Sequence, residues 1–234
     1  MALWREGPLP LLKDGQQLAT MASLLHVDSG GRPVVSALIE RSGLAAQDWL
    51  RCYFEAYLVP LVHCLYQYEL AFMPRGENVI LVLEDGVPVR AIMKDIAEEI
   101  VVMGDRLDLP GEVSRIKADI PEGEKVLSIF TDIFDCILRF LAALLAALLV
   151  EDGKLSQEEF WRTAATAIKD YQAQHPELAD QFARPDLFAP DFELSCLNRL
   201  QLRNNQQMLD LADPSGGLQM AGRLANPLAR FAGK

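Results

Sequence analysis

Residues 72–95 contain the most regular pattern in the chain, and it predicts a β-hairpin. Residues 79–83 are five consecutive apolar side chains, which is the pattern of a strand covered on both faces. Asp85-Gly86 follows almost directly and is a strong signal for a two-residue hairpin turn. Pro88 then favours an edge position or a strand start, because proline cannot donate a backbone hydrogen bond. The sequence therefore predicts a hairpin over about residues 78–94.

Polar side chains flank one end of this hairpin. Glu77 and Asn78 precede the first strand, while the second strand carries Arg90 and leads into Lys94 and Asp95. Carboxylate and amide oxygens suit Mg²⁺, whose remaining ligands are usually water and substrate phosphates. Arg90 and Lys94 share one face of the strand, where cations can neutralise phosphate. From spacing alone, a solvated loop with a surface ion pair stays open as the alternative.

The rest of the chain is predominantly helical by pattern. Residues 45–72 place aromatic and apolar side chains at spacings of three and four, typical of a helix, which Pro60 is expected to kink or divide. Ser156 and Glu159 form a capping-box pattern that begins a helix running to about Gln174. These patterns predict an α+β fold, rich in helices, in which a small antiparallel sheet packs on the helices.

Other segments carry weaker signals. Residues 1–14 are expected to lead irregularly into the domain because of two prolines, and residues 218–234 to form a loosely ordered tail. Residues 198–207 predict a polar helix. Its Arg199 and Arg203, at i and i+4, either form an exposed surface or project toward a nucleotide or a carboxylate substrate.

Composition excludes several classes of function. A net charge of −11 argues against a nucleic-acid surface, which needs clustered lysine and arginine. Residues 140–150 are uninterruptedly apolar but shorter than the about 20 residues of a membrane span. The four cysteines form no C-x-x-C pair, and no signal-peptide pattern precedes them, so we expect a cytoplasmic protein with reduced thiols.

Familiar catalytic motifs are missing from the sequence. It contains neither of the usual glycine-rich phosphate motifs, G-x-G-x-x-G and G-x-x-x-x-G-K-[ST], and no G-x-S-x-G elbow. Residues 151–160 resemble the back half of a calcium loop, but apolar residues stand where the first oxygen ligands would be needed. Three scattered histidines make a histidine-rich zinc site improbable from sequence.

Five segments together resemble a known family. They are a tyrosine-rich helix (residues 49–68), Phe-Met-Pro-x-Gly-Glu-Asn (72–78), Pro-x-Arg-x-x-x-Lys-Asp (88–95), Leu-Asn-Arg-Leu (197–200) and Asn-Pro (226–227). The pattern is similar to the C-terminal domain of the NRPS-independent siderophore synthetases, the aerobactin-synthetase type. The resemblance spans roughly residues 3–228. It implies that residues 1–234 form a single, palm-like C-terminal domain.

The resemblance implies an ATP-dependent ligase. Such enzymes adenylate a carboxylate of citrate or a related acid with release of pyrophosphate, and an amine or hydroxyl of a polyamine or amino-alcohol then captures the acyl group. ATP and Mg²⁺ are the implied cofactors. The implied roles are Glu77, Asn78 and Asp95 facing ATP and Mg²⁺, with Arg90 and Lys94 supporting the phosphates. Arg75 and Glu77 would be catalytic, and Arg75 and Arg199 would contact the substrate.

Two departures from the family pattern limit this expectation. The family usually carries histidine at the position of Arg75, and its nucleotide loop lies in an N-terminal domain that this chain does not contain. The chain would then hold half an active site, with that domain as a partner and a homodimer as a further possibility. A non-catalytic binding or dimerisation module is one alternative function. A ferric-siderophore reductase is another, although its [2Fe–2S] cluster needs four organised thiolates.

Overall fold

The computed structural model describes residues 7, 9–72, 74–94, 100–102, 104–111, 143–183, 185–195 and 220–233. The helices in these ranges are α1 (Val34–Ser42), α2 (Ala46–Tyr68), α3 (Ala143–Glu151), α4 (Gln157–Gln174) and α5 (Ala179–Phe182). The strands are β1 (Gln16–Thr20), β2 (Leu70–Phe72), β3 (Val79–Glu84), β4 (Val87–Met93), β5 (Ile100–Val102), β6 (Asp191–Ser195) and β7 (Met220–Ala225). The α+β architecture is confirmed. The predicted helix containing Arg199 lies outside the described residues.

The predicted hairpin is confirmed as β3 and β4, in an antiparallel sheet of order β1-β3-β4. Asp85 and Gly86 both adopt left-handed conformations, with φ of 48° and 86°, which is the type I′ geometry that matches strand twist. A side chain at Gly86 would also meet the Leu38 carbonyl oxygen at 2.9 Å. Pro88 lies in the edge strand, as expected.

Strand β1 was not anticipated. An apolar run over residues 20–27 suggested a strand or a helix end there, but β1 is the more polar Gln16–Thr20, and a short 3₁₀ helix, Met21–Leu25, follows it. Pairing with both β1 and β4 makes β3 the central strand. This explains its apolar run, because Val82 and Leu81 are both fully buried on opposite faces.

Helix α2 forms the centre of the molecule. It contacts β4 and β2 on one side and α4 on the other, so eleven of its side chains are buried. The helix continues through Pro60, so the expected division does not occur. Pro60 itself is exposed, and the buried residues before and after it hold the helix in register across the missing hydrogen bond.

The capping box of α4 is confirmed. The Ser156 hydroxyl accepts a hydrogen bond from the Glu159 amide at 3.2 Å, and the Glu159 carboxylate accepts one from the Ser156 amide at 2.7 Å. This exchange satisfies backbone donors at the start of the helix. The apolar face that begins here at Phe160 packs edge-on against Phe54 of α2, with ring centroids 5.5 Å apart.

The described part of the segment expected to be a tail is ordered. β7 pairs with β6, and Leu228 and Phe231 are buried in the core. Asn226 fixes the turn that follows β7. Its side-chain amide donates to the Leu187 and Ala189 carbonyls, and its side-chain oxygen accepts from the Leu228 amide. The expectation of loose order therefore does not hold for residues 220–233. Among the described helices, none combines the length and apolarity needed to cross a membrane.

Three tyrosines of α2 test how buried hydroxyls contribute to stability. Tyr53 and Tyr57 pack in the core with tilted rings whose centroids are 4.7 Å apart, and their hydroxyls make no hydrogen bond to the described residues. The hydroxyl of Tyr66, equally buried, donates to the Pro185 carbonyl at 2.8 Å. We expect Tyr53→Phe to leave the free energy of unfolding unchanged or raise it, and Tyr66→Phe to lower it by about 1 kcal/mol.

Urea denaturation of both variants measures this contrast. Tyr66→Phe serves as the matched control, because it removes the same atom from a bonded position. A loss for Tyr53→Phe as large as the loss for Tyr66→Phe would contradict the assignment of an unbonded hydroxyl.

Candidate functional site

Exposed and buried residues alternate in the loop between β2 and β3. The Arg75 carbonyl accepts hydrogen bonds from the amides of Asn78 at 2.8 Å and Val79 at 3.2 Å, which closes the loop into a turn. Arg75 and Glu77 are exposed, whereas Asn78 is only 6% exposed. The turn thus presents one cation and one carboxylate to solvent beside a buried amide.

A backbone contact fixes this loop to the rest of the domain. The Ala22 amide, in the 3₁₀ helix after β1, donates to the Gly76 carbonyl at 2.9 Å. A Cβ at position 76 would lie 3.1 Å from three atoms of Ala22, two of them backbone. Glycine is therefore needed here for close approach of two backbones, at a position whose φ is not in the left-handed region.

The end of β4 meets this loop. The Lys94 amide donates to the Asn78 carbonyl at 3.0 Å, which extends the β3–β4 ladder by one further pair. Lys94 is exposed. The structure thus brings Arg75, Glu77, Asn78 and Lys94 to one edge of the sheet. Asp95 follows Lys94 in sequence but lies outside the described residues.

Arg90 is not at this edge. It pairs with Val82, four positions along β3 from Asn78, which corresponds to about 13 Å at the rise of a strand. Its guanidinium donates to the Leu11 carbonyl. Arg90 therefore holds the segment before β1 and lies apart from Lys94 along the hairpin.

Sequence reasoning missed the Gly76–Ala22 contact. Gly76 carried only the signal of a helix-ending glycine, and Ala22 has no side chain with chemistry of its own. Backbone contacts between distant segments leave no periodic pattern, although a glycine in a loop of otherwise polar residues was a weak hint of close approach.

The two described thiols are unlike those that ligate iron–sulfur clusters. Burial raises the pKa of both Cys52 and Cys64, and the Glu55 carboxylate adds to the shift at Cys52. Cluster ligands are thiolates, which form where the pKa is lowered. Within the described residues, no group of three or more His, Cys, Asp or Glu side chains is arranged to hold a metal. Cys136 and Cys196 lie outside them.

Comparison with known proteins connects this geometry to a family. Residues 47–210 match the family model described as "Ferric iron reductase FhuF-like transporter". A putrebactin synthase from Shewanella sp. (strain MR-4) is 50% identical over 230 residues, which are 98% of this chain and 36% of that protein. The chain belongs to the FhuF-like family. It represents the domain that forms the C-terminal part of aerobactin-type siderophore synthetases, as the sequence resemblance implied.

Solved structures give the same result for the fold. The aerobactin synthetase IucC from a hypervirulent pathotype of Klebsiella pneumoniae superposes with a TM-score of 0.80 and 27% identity, covering 97% of this chain and 39% of that one. The ATP-bound aerobactin synthetase IucA from the same source superposes with a TM-score of 0.66 and 17% identity, covering 90% and 36%. The FhuF-like domain thus spans between a third and two fifths of the length of these relatives. These relatives are named as synthetases of the siderophores putrebactin and aerobactin.

The anchoring of the loop in this FhuF-like domain can be tested at Gly76. We expect Gly76→Ala to lower the free energy of unfolding by about 1–2 kcal/mol, because the added methyl group meets backbone that cannot rotate away. It should also speed hydrogen exchange of the Lys94 amide, which depends on the same loop. Urea denaturation and amide exchange measure the two effects.

The matched control is Gly111→Ala, at a glycine with open space around its Cβ position and no left-handed φ. Relief of chain entropy predicts a neutral or slightly stabilising effect there. Equal stability of the two variants would show that the close approach of Gly76 to Ala22 is not a constraint.

Proposed function

We propose that this FhuF-like domain holds Mg·ATP and the acyl substrate of a siderophore synthetase, at the sheet edge formed by Arg75, Glu77, Asn78 and Lys94. The observation that supports the proposal is the backbone bond between Lys94 and Asn78. It joins the loop and the end of β4, so an amide, a carboxylate and two cations occupy one anchored edge. The alternation of exposed and buried residues in the loop leaves the charged groups accessible to a ligand.

The donor set at this edge fits a hard divalent cation bound to phosphate. The Glu77 carboxylate, the Asn78 side-chain oxygen and Asp95 are the residues that would hold Mg²⁺, and substrate phosphates and water would complete its shell. When bound, Mg²⁺ would neutralise charge on the phosphates. Lys94 would act on the same charge as a point cation. Preorganised charges of this kind stabilise a transition state without rearranging.

The reaction that we propose has two balanced steps. A carboxylate oxygen of citrate or a related acid attacks the α-phosphorus of ATP, the bond to pyrophosphate breaks, and an acyl-adenylate forms. An amine or hydroxyl of a polyamine or amino-alcohol then attacks the acyl carbon, AMP leaves, and a proton is lost. Arg75 cannot accept that proton, because its guanidinium stays charged. Arg75 is therefore assigned to the substrate carboxylate, and Glu77 is the available proton acceptor at this edge.

Arg90 and Arg199 have secondary roles in the proposed site. Arg90 would reach the phosphates only by giving up the Leu11 carbonyl, so we assign it the smallest share of phosphate binding. Arg199 is proposed as a second contact to the acid. We propose that the full activity also needs an N-terminal domain, which the resemblance implies to hold the nucleotide loop; the coverage of 36% of the putrebactin synthase leaves room for such a domain in that relative.

Nucleotide binding is tested by calorimetry with Mg·ATP. We expect Asp95→Asn and Lys94→Ala each to weaken binding at least tenfold, about 1.4 kcal/mol, because each removes a charge from the ion or the phosphates. Arg90→Ala should have a smaller effect. Asp108→Asn, at an exposed carboxylate in the described loop, is the control and should bind as the unchanged chain does. If all variants bind alike, or the unchanged chain does not bind with Mg²⁺ present, the site assignment is wrong.

Catalysis is tested by pyrophosphate release with citrate and related acids. The assay compares the chain alone with the chain plus an N-terminal region from the putrebactin synthase. We expect release only in the second case, because in this proposal the opposite wall of the site comes from that region. Failure to release pyrophosphate in either case, with Mg·ATP binding intact, would favour a non-catalytic binding module.

A further inference from the structure

Two of the three histidines in the chain lie side by side at the junction of α2 and α4. His63 is half-buried on α2, and His175 ends α4 with φ of −124° and ψ of 59°. Their ring centroids are 5.8 Å apart. The side chain of His175 is 31% exposed, so solvent reaches the pair. The proposed nucleotide site uses neither residue.

Each imidazole is oriented by a partner at Nδ1. The Nδ1 atom of His63 lies 3.1 Å from the Tyr171 hydroxyl oxygen, and that of His175 lies 2.8 Å from a Glu177 carboxylate oxygen. Within the described residues, no hydrogen bond occupies Nε2 of either ring. Histidines that ligate metals characteristically use one nitrogen for the ion and the other for a carboxylate, carbonyl or water that fixes the ring. In this pair a carboxylate has that place for His175, and a tyrosine hydroxyl has it for His63.

The separation of the rings suits one shared ion. A metal lies about 2.0–2.1 Å from an imidazole nitrogen, hence about 3.2 Å from the ring centroid, so two imidazoles on one ion have centroids roughly 5–6 Å apart. The observed 5.8 Å falls in this interval. We propose that His63 and His175 bind one borderline divalent transition-metal ion, of the zinc, nickel or copper class, through their Nε2 atoms. The ion would link α2 to the end of α4.

The neighbouring groups define the kind of site. With no third protein ligand among the described residues, water completes the shell, and the ion exchanges readily. Mg²⁺ does not compete, because it prefers oxygen ligands, so this site and the nucleotide site are chemically separate.

The probe for this site is Cu²⁺, with Zn²⁺ as a second ion. Imidazole ligands bind Cu²⁺ most strongly in the first-row series. We expect one Cu²⁺ per chain by calorimetry, and an electron paramagnetic resonance spectrum with nitrogen hyperfine structure from two imidazoles. Zn²⁺ should raise the melting temperature through linkage. His175→Gln, at a partly exposed position, and His63→Ala should each weaken binding at least tenfold.

Two further variants distinguish this site from metal binding at any exposed histidine. His26→Ala removes the third histidine, which is exposed and far along the sequence, and should leave binding unchanged. Tyr171→Phe removes the hydroxyl beside His63 and should weaken binding about tenfold. Circular dichroism confirms the fold of each variant. Binding that survives both His63→Ala and His175→Gln, or that is lost equally in His26→Ala, would overturn the proposal, as would a spectrum with a single nitrogen ligand.

Discussion

The burial of α2 between the sheet and α4 is the constraint on which the other features depend. At its start, Trp49 is fully buried and donates from Nε1 to the Gly86 carbonyl at 2.8 Å, which ties the helix to the hairpin turn. At its end, Glu69 turns the chain in a left-handed conformation, with φ of 52°, and β2 begins. The helix therefore fixes both ends of the hairpin: the turn directly, and the polar loop through the short strand that leads into it. A non-glycine residue in this conformation costs about 1 kcal/mol, which the packing of α2 offsets.

The features that were predictable from sequence are those whose causes are local. The Asp85-Gly86 turn and the capping box at Ser156 each depend on a few adjacent residues. The ordered C-terminal segment was missed because its stability comes from partners distant in sequence, above all the contacts of Asn226 with residues 187–189. β1 was missed for a related reason: Gln16–Thr20 is polar enough to resemble a loop, and only pairing with β3 makes it a strand.

The candidate site was also predictable only in part. Its residue types could be recognised in the sequence, and the resemblance to a family implied their roles. Their positions could not be predicted, because the pairing register of the strands determines where each residue lies. The alternation of side chains along a strand predicts that Arg90 and Lys94 share one face, but it carries no information about distance along the strand. Only the observed pairing shows that Lys94 lies beside Asn78 while Arg90 lies opposite Val82. A pattern of period two predicts which face of the sheet a residue lies on, but not which residue of the neighbouring strand it pairs with.

The resemblance implies histidine where this chain has Arg75, and that difference bears on how the proposed site would work. A histidine near neutral pH can hold or release a proton, and so can serve both the charged substrate and the proton transfer. Arginine keeps its charge, and its planar group suits a carboxylate in a bidentate pair. In the proposed site, arginine at this position would keep its charge at any pH at which the protein is folded, so proton acceptance would pass to another group. Glu77, two residues away and also exposed, is the residue that we propose for that task. The proposed site thus assigns to two residues the two tasks that one histidine could combine.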